Sequence, residues 1–228
     1  MQMKRKTFLS YRYLDATIYF TKMALDYETS QKKEIDYYNY IVTSGIFLIT
    51  SFLETNINEY YSEIVENETY QFKTIDVKNQ NVLSNLWKRG IPRTAKYSIL
   101  EKYEIALDVT ESKSFDKSKY PYQDVTSLIK LRNALIHYEP IWQEVAEVGY
   151  EKDLEARLKG KYKLNPFFGP DTKSEPFFPN LCLSAHCLIW AVKSSLDLVS
   201  IFYKNIKNEI PFNNVYKATI DKLNKITA

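Results

Sequence analysis

Residues 33–66 read KEIDYYNYIVTSGIFLITSFLETNINEYYSEIVE. Ile41, Ile46, Ile49, Leu53, Ile57 and Ile64 recur along this stretch close to the 3.6-residue period of a helix. The pattern predicts one long helix with a continuous apolar face. A face of that length needs several partners, and the rest of the chain supplies them. Tyr11 to Glu28 carries Leu14, Ile18, Met23 and Leu25 in a second helical pattern. Further helices are expected over Ser84–Lys88, stopped at Gly90 and Pro92, and over Thr94–Leu107. Another opens at Pro121 and runs through Val125, Leu128, Leu131 and Leu135 to about His137, with Pro140 closing it. Leu181–Ile206 reads as a long apolar helix and Pro211–Ile226 as a more polar last one. Residues 67–80 and 108–120 read as polar loops. Leu164–Pro179, with four prolines and one glycine, reads as an extended connection. No segment alternates as a strand would. The expectation is an all-α chain, a single bundle of about six to eight helices over residues 1–228, with its core at about 10–205 and a C-terminal helix at 211–226.

Composition agrees with a helical globule and excludes several function classes. The chain has 228 residues, 45% hydrophobic and 26% charged, which are values of a folded domain rather than a disordered one. Five glycines are too few for the many tight turns of a sandwich or barrel, and no glycine-rich phosphate loop is present. With 31 basic and 28 acidic residues the net charge is +3, which permits a nucleic-acid partner without demanding one. Two histidines leave little room for a histidine-built metal site. Cys182 and Cys187 fall in one apolar segment and make no disulfide framework, which suggests a reducing, cytoplasmic interior. Cys182 and His186 share a helix face, but with no fourth ligand in view they read as small core residues. The basic start leads into Tyr11-Arg12-Tyr13 without an apolar signal core. The nearly apolar run Ile41–Leu53 is too short to span a bilayer, so no membrane association is expected.

One segment carries chemistry. Within the helix after Pro121 stands Leu128-Ile129-Lys130-Leu131-Arg132-Asn133-Ala134-Leu135-Ile136-His137-Tyr138-Glu139-Pro140. Asn133 and His137 are four apart and share a helix face. Arg132 and His137 are five apart, about 140° around the axis. Either the long arginine side chain wraps round, or a second protomer completes the site. An arginine offers a fixed, permanently charged fork to a phosphate. A histidine titrates near neutrality and suits proton transfer. An asparagine can orient the imidazole or donate to the phosphate.

The run Arg132-Asn133-x3-His137 resembles the R-x-x-x-x-H motif of the HEPN superfamily. The earlier stretch Phe52-Leu53-Glu54-Thr55-Asn56-Ile57-Asn58-Glu59 is similar to the Leu-Glu-x-x-x-Asn-Glu stretch of many small HEPN proteins. The resemblance covers about residues 10–205, and its sharp part is the seven residues from Leu131 to His137. HEPN domains are all-α bundles. Many are metal-independent endoribonucleases of toxin–antitoxin and antiviral systems, and others are non-catalytic modules that bind RNA, a nucleotide or a protein partner. The resemblance therefore implies two alternatives. In the first, Arg132, Asn133 and His137 form a catalytic site in the cleft of a homodimer, without cofactor or metal, and leave a 2′,3′-cyclic phosphate and a 5′-hydroxyl on the cut RNA. In the second, the fold is kept and cleavage is not. An antitoxin or defence partner is left unidentified. The tyrosine that some members carry two positions after the histidine is Glu139 here, so its modification is not carried over.

Two further groups are read both ways. Glu54 and Asn58, four apart on the long helix, either support the cleft or are exposed positions on a helix face. Lys130, Arg157, Lys159, Lys161 and Lys163 either track an RNA backbone or form a solvated basic surface; residues 157–163 contain no acid.

Overall fold

The computed structural model describes residues 6–30, 34–66, 75–94, 96–139, 150–168, 175–211 and 213–227. The chain is all-helical there, without a strand among the described residues. Eight α-helices follow in order: α1 Ser10–Thr29, α2 Ile35–Glu66, α3 Val77–Lys88, α4 Ile99–Val109, α5 Tyr122–Ile136, α6 Tyr150–Leu158, α7 Ala185–Asn205 and α8 Asn213–Thr227. A single wide turn, Phe177–Leu181, precedes α7.

The architecture follows from the two most apolar helices. Every residue of the stripe from Ile41 to Ile64 is buried. So are Leu188, Ala191, Val192, Leu198, Val199 and Phe202 of α7. Helix α2 packs against α1, α3, α4, α5 and α7, and α7 packs in turn on α1, α4 and α5. At Gly45 the two helices leave no room for a side chain: a Cβ there would sit 2.6 Å from Leu188 Cδ2, so the Leu188 side chain would have to shift. By length and composition α2 and α7 would each suffice to cross a bilayer, but 56% and 67% of their most apolar windows are buried inside this bundle.

Polar groups fix the ends. The Tyr38 hydroxyl donates to Glu28 Oε1 and accepts from the Ala185 amide at 2.7 Å, tying α1, α2 and the start of α7. Ser184 caps α7 by accepting from the Cys187 amide at 3.0 Å.

Three helix starts differ from the sequence expectation by four residues or more, and one helix is additional. Helix α7 starts at Ala185 rather than Leu181, because Ser184 caps it. Helix α4 starts at Ile99 rather than Thr94, because Ser98 and Glu101 form a reciprocal capping box. Helix α3 starts at Val77 rather than Ser84, because Asp76 accepts the Asn79 amide at 2.9 Å and starts the helix inside the expected loop. Helix α6 was not anticipated. Among its described side chains Leu154 and Leu158 are buried, too few positions to set a period. The remainder of the first expected loop (67–74), part of the expected connection (169–174) and Pro140 lie outside the described residues.

Candidate active site

The motif occupies the last turns of α5. Val125, Leu128 and Leu131 turn inward and are fully buried, which directs Arg132 to the flank and Asn133 and His137 outward. Arg132 is half-buried, and Asn133 and His137 are exposed. Arg132 Nη1 donates to Asn133 Oδ1 at 2.9 Å, so the asparagine holds the guanidinium against the helix. The His137 amide closes the helix on the Asn133 carbonyl at 2.9 Å. Arg132 and Asn133 are thus joined, with the His137 imidazole one turn beyond Asn133 on the same face. Ile136 and Tyr138 beside it are 49% and 46% exposed.

Glu54 and Asn58 belong to a different cluster. Both face Lys102 of α4, whose Nζ lies 2.8 Å from Glu54 Oε1 and 3.3 Å from Asn58 Oδ1. Lys102 is 1% exposed and would be an uncompensated buried cation without them. Their shared spacing on α2 therefore has a structural cause, which the sequence did not reveal because Lys102 is 44 residues from Asn58.

The cations proposed for an RNA backbone are largely matched by acids. Asp153 accepts from Arg157 Nε at 2.9 Å and lies 2.8 Å from Lys130 Nζ. The bonds from Arg157 and then Lys130 hold the Asp153 carboxyl down at about 2. Lys159 pairs with Glu155 at 2.7 Å, and Lys161 with Asp124. The stretch 157–163 lacks acids in sequence, but one helical turn back and α5 supply them. Lys163 is exposed, and its carbonyl accepts from Ser184 Oγ at 2.6 Å. Asp124 also accepts from the buried Trp190 indole at 2.6 Å, so it braces α5 against α7.

Among the described residues no group of three or more His, Cys, Asp or Glu side chains is arranged to hold a metal ion. Cys182 and Cys187 are buried free thiols, and burial pushes the Cys187 thiol up to about 12.

A groove that sequence reasoning passed over opens where α5 ends. It holds about 430 Å³. Asp36, Asn39, Tyr40 and Thr43 of α2 form one wall, and Leu135 and Tyr138 face them. Pro179 and Leu183 line its floor with Phe178. The signal was present: positions 36, 39, 40 and 43 follow i, i+3, i+4, i+7, a polar and aromatic stripe on an otherwise apolar helix. Compared with known proteins, the chain matches no family model, no curated protein and no solved structure.

Proposed function

We propose that this chain is a HEPN-like endoribonuclease that cuts RNA without a metal ion. One observation carries the reading: the Arg132 guanidinium is held by Asn133 at 2.9 Å, next to an exposed His137, at the open end of a helix. The substrate's 2′-hydroxyl attacks the adjacent phosphorus as His137 takes its proton. The P–O5′ bond breaks, and the departing oxygen picks up a proton to become a 5′-hydroxyl. The other product is a 2′,3′-cyclic phosphate. Arg132 holds the charge that builds on the phosphate oxygens, and Asn133 keeps Arg132 in place. The angle of about 140° between Arg132 and His137 around α5 favours a site completed by a second copy. The exposed Ile136 gives that copy an apolar side chain to meet. A toxin or antiviral role follows from the resemblance alone, as does any antitoxin or defence partner. Two free cysteines in the core fit a cytoplasmic setting.

A second reading has its own support. Lys130, Arg157, Lys159 and Lys161 are all engaged by carboxylates, which leaves less free positive charge for an RNA backbone. A non-catalytic module of the same fold, binding RNA, a nucleotide or a protein partner, needs less. RNA cleavage in the presence of EDTA, by the parent and by Arg132→Ala, separates the two. Sedimentation of the purified chain tests the dimer.

A further inference from the structure

The groove between α2 and the end of α5 has the chemistry of a base pocket. Its inner surface is apolar: Leu183 and Phe178 are each 2% exposed, and Leu135 packs against the same core. Its rim carries two phenol rings with free faces, Tyr40 at 67% and Tyr138 at 46% exposure. A flat aromatic ligand would cover both surfaces at once. The polar groups are selective. Asp36 is exposed and in no ion pair among the described residues, and an ionised carboxylate only accepts hydrogen bonds. The two carboxylate oxygens of Asp36 call for a ligand edge with two adjacent N–H donors. Among the RNA bases only guanine presents two, N1–H and N2–H, on one edge. The Thr43 hydroxyl can donate to its O6.

We infer that this groove is a guanine-selective subsite, with the two Asp36 carboxylate oxygens accepting from N1–H and N2–H of the base and Tyr138 and Tyr40 covering its faces. The inference deepens the RNA-cleaving reading and rests on it for the identity of the ligand as RNA. Arg132 precedes Leu135 by three residues, so both lie on one side of α5. A nucleotide whose base enters the groove can therefore present its phosphate to Arg132.

The test is equilibrium binding of the full chain to uridine hexamers with one central guanine or one central adenine. Both are fully 2′-O-methylated, so neither can be cut by 2′-hydroxyl attack. The guanine hexamer is expected to bind about tenfold more tightly, a difference typical of a paired carboxylate-to-base contact. Asp36→Asn should erase the preference, and Tyr138→Ala should weaken both hexamers. Equal affinity for the two hexamers, or a preference that survives Asp36→Asn, overturns the inference. The corresponding unmethylated hexamers separate this from the nuclease reading. A guanine preference without cutting leaves the subsite in a non-catalytic module. Cutting without a preference removes the subsite alone.

Discussion

The buried Lys102 gives the sharpest energetic prediction. Its side chain is 2% exposed, while that of its partner Glu54 is 35% exposed. Glu54→Ala would leave a cation inside the bundle with only Asn58 Oδ1, 3.3 Å away, to compensate it. Removing one member of a buried pair costs about 3–5 kcal/mol. Glu54 is a third exposed, so solvent screening reduces this to about 2 kcal/mol. Lys102→Met removes the same ion pair but leaves behind a carboxylate that water can reach. Its aliphatic stem still fills the space, so the loss should be about 1 kcal/mol or less. The double variant should resemble Lys102→Met, because no buried cation remains to be stranded. Urea denaturation followed by circular dichroism measures all three. Equal losses for the two single variants, or a larger loss for Lys102→Met, would refute the claim that Glu54 serves to neutralise Lys102. The Lys102→Met, Glu54→Ala double variant should also keep whatever RNA cleavage the parent has.

Other consequences are as direct. Gly45→Ala gains about 1 kcal/mol in helix propensity but drives a methyl to 2.6 Å from Leu188 Cδ2. Overpacking costs about 1–3 kcal/mol, so thermal denaturation should register a net loss of about 1 kcal/mol. Asp124→Ala strands the buried Trp190 indole N–H and should cost about 2–3 kcal/mol in denaturant titration, whereas Asp124→Asn keeps an acceptor and should cost about half as much. The Asp153 carboxyl is held at about 2 by Arg157 and Lys130, below the ordinary carboxylate value. Its stabilising contribution is therefore complete above that ordinary value and is lost as pH falls through about 2. Amide exchange in α6 should accelerate over that acid range in the parent, and Asp153→Asn should abolish the change.

Legibility in the sequence tracked how many apolar residues each element buries. Helices α2 and α7 present long stripes, and α2 was readable to within two residues; α7 starts four residues later than its apolar run, where Ser184 caps it. Helix α5 was readable because Pro121 precedes it and Leu128, Leu131 and Leu135 repeat along it. Helix α6 was not, since among its described side chains Leu154 and Leu158 are the buried ones. The early start of α3 was hidden by its polarity, with Leu83 its one buried side chain. At the site, Arg132, Asn133 and His137 were legible as a motif because all three lie on one helix. The partners of Glu54, Asn58 and Lys161 were not, because Lys102 and Asp124 come from distant parts of the chain and only packing brings them together. The stripe Asp36, Asn39, Tyr40, Thr43 lay within reach of the same periodicity that found the core. It was passed over because that search followed apolar residues only.

The central claim concerns His137 and RNA. End-labelled RNA incubated with the purified chain in EDTA, beside His137→Ala prepared in the same way, addresses it most directly. The account predicts cutting by the parent alone, with cyclic phosphate ends on the products. Equal cutting by both proteins, or no cutting by a folded parent, would contradict it.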